Sequence, residues 1–172
     1  MLQRDYFATL GRYHIWADRR LLESLEPISD VDYHADQGLF FRSIHRTLNH
    51  LLLVDLLWHG RLTGNPFAVS GLDQELVKER GRLTDELLRQ ANVLHDLITE
   101  LDESRIGAVN AYLDSEGNRR ESPLALQLGH AFNHATHHRG QITAVITRLG
   151  HPSPVLDLPY FLAEDRESGR GK

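Results

Sequence analysis

The sequence predicts an all-α fold, a four-helix bundle with a small β-hairpin before the last long helix. Four segments repeat apolar residues at steps of three and four, the spacing of a helix with one face on a core. Prolines and glycines separate these segments, and one short stretch instead alternates apolar and polar residues, as a strand does. At 172 residues the chain fits a single domain, which we expect to span residues 1–164.

Residues that break helices bound the first two helices. The first is predicted from about residue 5 to residue 26, where Pro27 stops it, and residues 27–38 follow as a polar connection. The second is predicted to begin between residues 38 and 43 and to end near Leu62, before a Gly-Asn-Pro sequence. Its middle is apolar on nearly every side, so we expect it to be the most buried helix.

The third helix and the hairpin differ in the spacing of their apolar residues. From near Asp73 to Leu101, leucine and isoleucine recur at helical spacing and form one apolar stripe. Between residues 107 and 121 the apolar positions alternate instead, around an Asp-Ser-Glu-Gly-Asn sequence that is typical of a turn. This region is therefore predicted to be a hairpin.

The last long helix is predicted to start at Ser122 and Pro123, a capping side chain followed by a ring suited to the first helical position. It is predicted to end at Leu149, where a glycine and a proline follow. Residues 165–172 are charged and small, and we expect them to form a loose polar tail.

Composition excludes several classes of function. The chain contains no cysteine, so it has no disulfide, no thiolate ligand and no cysteine nucleophile, and thiol chemistry would need a thiol from a small molecule. Its formal net charge of −5 disfavours contact with phosphate backbones, so we expect no nucleic acid partner. We find neither a signal sequence nor an apolar run that could span a bilayer, so we expect a cytoplasmic protein without a membrane partner.

The eleven histidines are the most informative feature, because four of them lie within residues 130–138. At about 100° per residue, His134 and His138 point toward the apolar face of the last helix, whereas His130 and His137 point away. Two imidazoles one turn apart on one face can bind a single divalent ion. The alternative is a pair of hydrogen-bonded histidines at the edge of the core, but burying two imidazoles without partners is costly.

A third ligand is expected from the second helix. His50 flanks its most apolar stretch, where a polar ring needs a partner. His45 and His59 are competitors, but they lie about 220° and 180° around the helix from His50, so the three cannot share one site. Three neutral histidines with an open position are typical of a catalytic divalent site, whereas four protein ligands would indicate a structural one. Sequence motifs of zinc proteases, serine hydrolases, phosphate loops and di-iron bundles are absent.

Three segments of the chain resemble the DinB (DNA-damage-inducible) family of bacterial metalloproteins: residues 13–22 (YHIWADRRLL), 43–51 (SIHRTLNHL) and 130–141 (HAFNHATHHRGQ). The resemblance spans nearly the whole chain and implies a bundle with up-down-down-up topology that is often dimeric. It also implies one divalent metal ion held by three residues, which at the matching positions are His50, His134 and His138.

The resemblance also bears on chemistry. Family members are known with nickel or zinc, and relatives include enzymes that use low-molecular-weight thiols and replace the second ligand with glutamate, where this chain keeps His134. We therefore predict a metal-dependent thiol transferase or hydrolase that acts on a small-molecule substrate, in a homodimer. The alternatives are a non-catalytic metal-binding stress-response protein and an interaction module in which the histidines are incidental.

Several other residues have more than one interpretation. Asp55 and Arg139 are charges on apolar helix faces, which predicts that they pair with each other or across a subunit interface, unless solvent reaches each separately. Trp16 and Trp58 could line a substrate cavity or belong to the core. Gln141, and not Asn133, lies where it could orient a histidine ring.

Overall fold

A computed structural model of the chain describes residues 1–169. Four long helices form the body of the molecule, and three short helices and one two-stranded sheet connect or extend them. The long helices are α1 (Gln3–Leu25), α3 (Ile44–Thr63), α4 (Arg80–Thr99) and α6 (Leu124–Arg148); the short ones are α2 (Asp30–His34), α5 (Glu103–Gly107) and α7 (Leu158–Glu167); the strands are β1 (Val109–Leu113) and β2 (Arg119–Pro123).

The four long helices pack in a ring in the order α1, α4, α3, α6. Contacts between helix ends give their directions. Arg80 at the start of α4 donates to the carbonyl of Leu25 at the end of α1, so these helices are antiparallel. Arg105, just beyond the end of α4, donates to the carbonyl of Leu62 at the end of α3, so α3 and α4 are parallel.

Helix α6 closes the ring between α3 and α1. Near the end of α3, Trp58 packs against His130 in the first part of α6, so these helices are antiparallel. Relative to α1, helices α3 and α4 therefore run in the opposite direction and α6 in the same direction. This is the up-down-down-up arrangement, and the predicted fold class is confirmed.

The boundaries of α3 follow from the sequence. The Ser43 side chain accepts a hydrogen bond from the Arg46 N–H and caps the first turn, and Gly64 ends the helix in a left-handed conformation with φ of 76°. A residue with a side chain would be strained in that conformation. As expected, α3 is buried along most of its length.

Helix α4 starts later than the predicted position near Asp73. Residues 73–79 contain no helix, because Asn49 of α3 binds their backbone: its Oδ1 accepts from the N–H groups of Leu76 and Val77, and its Nδ2 donates to the carbonyl of Val77. The helix begins only after Glu79, whose carboxylate accepts from two N–H groups of the first turn.

The predicted hairpin is confirmed, but it lies two residues further along the chain than expected. Strands β1 and β2 are antiparallel from Val109 opposite Pro123 to Leu113 opposite Arg119. In the turn, Asp114 Oδ1 accepts backbone N–H groups. Because Ser122 and Pro123 belong to β2, the prediction that they start the helix is wrong, and α6 begins at Leu124.

Three short helices were not predicted: α2, α5 and α7. Helix α5 lies between α4 and the hairpin, and its Ile106 is buried. Helix α2 lies in the expected polar connection, where the Ser29 side chain accepts from the Asp32 N–H and Tyr33 is buried. Helix α7 follows α6, and its Asp165 is buried and forms an ion pair of 3.1 Å with Arg12 of α1. The prediction of a loose tail from residue 165 is therefore wrong for residues 165–167, and residues 170–172 of that tail lie outside the described residues.

The core lies inside the ring of long helices. Apolar side chains of α1, α3, α4 and α6 fill it in two main clusters, one toward each end of the bundle. Within residues 1–169, no helix is long and apolar enough to cross a membrane.

Candidate metal centre

Three histidines from α3 and α6 converge between the two helices. His50 projects from α3, and His134 and His138 project from successive turns of α6. His134 Nε2 lies 3.2 Å from His50 Nε2 and 3.2 Å from His138 Nε2. The structure therefore brings together the three side chains that the sequence selected, and all their candidate ligand atoms lie within 4.8 Å of one another.

Hydrogen bonds at the far side of two rings fix which nitrogen faces the centre. His50 Nδ1 lies 2.8 Å from the carbonyl of Leu72, which can only accept, so this nitrogen carries the proton. His138 Nδ1 lies 2.9 Å from Gln141 Oε1 and donates to it in the same way. The Nε2 atom of each ring then has a free lone pair directed at the centre, as a metal ligand requires.

Because of the third ring, the nitrogen atoms of the three histidines cannot all find hydrogen-bond partners without a cation. His134 Nδ1 is buried and has no hydrogen-bond partner in the part of the chain that the structure describes. Whichever nitrogen of His134 carries its proton, lone pairs remain opposed at the centre or a buried group remains unpaired. A divalent ion among the three Nε2 atoms would remove the opposition of lone pairs, so the residues present fit such an ion.

Burial keeps these rings neutral. Desolvation lowers the pKa of His50 to about 4, although its bond to Leu72 opposes the shift. Desolvation and the neighbouring histidines lower the pKa of His134 to about 3. Desolvation also lowers the pKa of His138. All three rings are thus neutral at neutral pH, the form that binds divalent metal ions.

The other candidate histidines lie outside the centre. His130 and His137 are exposed on α6, and His137 contacts Gln141 instead. His45 is buried on another side of α3, 2.8 Å from Glu75 Oε1. Among the described residues, neither His45 nor His59 joins the three converging rings.

Sequence reasoning missed two residues that hold the centre. The Phe41 ring stacks on the His50 ring with a centroid distance of 4.0 Å, and it also packs against His138. Leu72 supplies the carbonyl that orients His50. Both residues come from connecting segments, where no helical periodicity fixes the position of a residue, so no signal in the sequence pointed to them.

A cavity of about 290 Å³ opens beside the centre. His50 and His134 form part of its wall, and so does Trp58, which is almost fully buried. Trp58 therefore belongs both to the core and to the cavity, whereas Trp16 lies elsewhere, packed on Phe161 of α7. Gln141 orients a histidine ring as predicted, and Asn133 is exposed.

The buried charges Asp55 and Arg139 belong to one network, but they do not pair directly. His14 of α1 lies between them: its Nε2 is 3.0 Å from Asp55 Oδ2, and its Nδ1 accepts from Arg139 Nη1 at 2.8 Å. Arg139 also donates to Asp18 at 2.9 Å. The prediction of a direct pair is therefore wrong, because an imidazole from a third helix occupies the space between the two charges.

This network is a second group of potential metal ligands, formed by His14, Asp18 and Asp55. The guanidinium of Arg139 already lies within hydrogen-bond distance of two of them. Its positive charge would repel a metal ion there, so we interpret the group as an ion network that ties α1, α3 and α6 together.

The fold and the site define a class of protein: a four-helix bundle with a buried three-histidine centre that is compatible with a divalent metal ion. The chain belongs to the DinB family, whose model matches residues 1–168. "Protein DinB" of Bacillus subtilis (strain 168) is 26% identical to it over 172 residues, which cover 92% of this chain and 94% of that protein. No solved structure matches the chain. The family membership inferred from three sequence segments is thus confirmed.

Proposed function

We propose that the protein binds one divalent metal ion through His50, His134 and His138 and is a metal-dependent enzyme. The observation that carries the proposal is the convergence of the three Nε2 atoms, two of them from rings whose Nδ1 atoms are held by Leu72 and Gln141. Imidazole ligands suit zinc and nickel, and we propose one of these two ions.

An open coordination position supports an enzyme over a closed structural site. The ring centroid of His130 lies 5.7 Å from that of His134, and the ring centroid of His137 lies 5.0 Å from that of His138, yet neither is among the converging ligands. Among residues 1–169, no fourth histidine, aspartate or glutamate joins the three rings, and a cavity opens beside His50 and His134. A divalent ion with such an open position lowers the pKa of a bound water or thiol and supplies a nucleophile at neutral pH.

The residues around the three histidines hold their rings in place. Leu72 and Gln141 hold the rings of His50 and His138 in place, and Phe41 covers His50 and excludes water from that side. Because the chain has no cysteine, a thiol would have to come from a low-molecular-weight cofactor. We propose a thiol transferase or a hydrolase that acts on a small-molecule substrate.

We further propose that the protein acts in the cytoplasm as a homodimer, without nucleic acid or a membrane as partner. The long amphipathic helices and the net charge of −5 support this proposal. Sedimentation at micromolar concentration measures the association, and a monomer would contradict it.

Elemental analysis of protein purified without a polyhistidine tag tests the metal site. We expect about one equivalent of zinc or nickel, and its loss on replacing His50, His134 or His138 with alanine, since two remaining ligands seldom retain a divalent ion. His130→Ala and His137→Ala are matched controls that should keep the metal. Equal loss from all five variants would contradict the assignment.

The open position is tested on cobalt-substituted protein. Titration with glutathione, cysteine and other small thiols should produce a sulfur-to-metal charge-transfer band if a thiol binds. Turnover of simple esters or amides without such a band would favour the hydrolase. Bound metal with neither band nor turnover would favour the non-catalytic stress-response protein.

A further inference from the structure

The cavity beside the histidines extends along one face of α3 to an arginine. His50, Val54, Leu57 and Arg61 are spaced by four, three and four residues, so they lie on one stripe of the helix, and all four line the cavity. Arg61 follows His50 by eleven positions, about 16 Å along the helix axis. The cavity wall thus has histidines at one end, apolar side chains in the middle and a cation at the other end.

Two aromatic rings hold Arg61 at its end of the cavity. Its guanidinium carbon lies 4.7 Å from the ring centroid of Trp58 and 4.7 Å from that of Tyr112 of β1. Trp58 is three residues earlier on α3, so the arginine side chain leans back toward His50. A second cavity of about 460 Å³ continues from the first, and Arg61 lines both.

The Arg61 guanidinium has aromatic neighbours but no hydrogen-bond acceptor in residues 1–169. Asp114 is the carboxylate that lines the same cavity, and its oxygens accept instead from Arg120 and Asn118. Burial lowers the pKa of Arg61, yet an arginine stays protonated in proteins. The charge of Asp114 opposes that shift, but Asp114 accepts no hydrogen bond from Arg61. The guanidinium donors therefore have no acceptor among residues 1–169, and planar guanidinium groups bind carboxylate and phosphate with two parallel hydrogen bonds.

We propose that the substrate of this site is an elongated small molecule with an oxyanion head, a carboxylate or a phosphate ester, which Arg61 binds. Its apolar middle lies against Val54 and Leu57, and its other end reaches the three histidines. The assignment of that reacting end rests on the proposed metal-dependent function; the binding of the oxyanion does not.

Binding is measured by fluorescence on the Trp16→Phe variant in the presence of EDTA. The chain has two tryptophans, so this variant leaves only Trp58, which touches Arg61, as reporter. The probes are octanoate, octyl phosphate and the neutral octanamide, which share one alkyl chain. We expect the better of the two anions to bind about tenfold or more tightly than octanamide, because a charge-assisted hydrogen bond contributes a difference of that size. The ratio of octanoate to octyl phosphate affinity distinguishes the two heads.

Variants then assign the preference to Arg61. In the same background, Arg61→Gln should abolish the preference for the anion, and Arg61→Lys should keep part of it. Arg119→Gln is the matched control, because Arg119 lines the second cavity but is exposed and forms an ion pair with Glu121. It should leave the preference unchanged.

Equal binding of octanoate, octyl phosphate and octanamide to the parent variant would overturn the proposal, and this comparison holds even if Arg61→Gln does not fold. Loss of the preference in Arg119→Gln as well would also overturn it. Because binding is measured in EDTA, the preference for the anion is recorded without a bound metal ion, and elemental analysis of the purified protein reports the metal site alone. Failure of the metal site and failure of the oxyanion site are therefore distinguishable.

Discussion

At the scale of single residues, the chain buries several polar groups and satisfies them with partners from other helices. Arg139 is almost fully buried and binds Asp18 and His14 of α1, while His14 reaches Asp55 of α3. Buried charges persist only when paired, and these pairs span three helices. The network lies one residue beyond His138, so it also fixes the part of α6 that carries the histidines.

Removing one member of this network should be costly. Arg139→Met leaves the carboxylates of Asp18 and Asp55 buried with too little positive charge, and we expect it to lower the free energy of unfolding by about 3–5 kcal/mol. Adding Asp18→Asn should restore part of the loss, giving a coupling energy of about 0.5–3 kcal/mol. Urea unfolding in EDTA measures both. Arg19→Met, at an exposed position of α1, is the control; additive losses at residues 18 and 139 would contradict the network.

At the scale of elements, one side chain of α3 determines where α4 can begin. The Asn49 amide binds the backbone of Leu76 and Val77 in three hydrogen bonds and is almost fully buried. The connection between α3 and α4, residues 64–79, also contains Leu72, whose carbonyl orients His50. The position of this segment therefore links the packing of α3 and α4 to the three-histidine centre.

Asn49→Ala should consequently disturb both stability and the metal centre. It leaves two N–H groups and a carbonyl without partners, and we expect a loss of about 2–4 kcal/mol in the free energy of unfolding. It should also weaken metal binding, measured by competition with a chelator, because Leu72 is no longer held. Asn92→Ala on α4, whose side chain is exposed, is the control. An Asn49 variant as stable as the Asn92 variant would show that the segment is held by its apolar contacts alone.

At the scale of the whole molecule, burial of histidines makes stability depend on pH. Folding lowers the pKa of five histidines from the usual 6.5, chiefly by desolvation. Their contribution to stability is fully present above pH 6.5 and is lost as the pH falls through the lowered pKa values, because the unfolded chain binds protons first. His14 acts in the opposite sense: although burial lowers its pKa, Asp18 and Asp55 raise it above the usual value. The five are His45, His50, His95, His134 and His138.

The metal-free protein should therefore be less stable at pH 5 than at pH 7. Each histidine with a lowered pKa contributes at most about 1.4 kcal/mol for each pH unit below 6.5. Thermal unfolding in EDTA at the two pH values measures the sum, and His50→Ala should reduce the difference. A melting temperature that does not change between pH 7 and pH 5 would contradict the lowered pKa values. Zinc or nickel added at pH 7 should raise the melting temperature, since it binds the folded state.

The sequence by itself determined the parts that depend on neighbours along the chain. The four long helices, the hairpin and the inward face shared by His134 and His138 all follow from spacings of two, three or four residues. Rotation around one helix is also a local property, so the sequence showed that His50, His45 and His59 cannot share one site. The choice of His50 among them came from its place beside the apolar stretch of α3 and from the family resemblance.

Only the tertiary structure decided what depends on distant partners. Asn49 binds the segment before α4 and so determines where that helix starts. The ion pair of Asp165 with Arg12 holds α7 against α1, and Phe41 contacts His50 from a connecting segment. His14 separates Asp55 from Arg139. A helical wheel could not predict this arrangement, because it does not place residues of three helices relative to one another. The physical reason is that periodicity records which face of an element is buried, whereas hydrogen bonds and ion pairs between elements form only where the assembled bundle brings their atoms within about 3 Å.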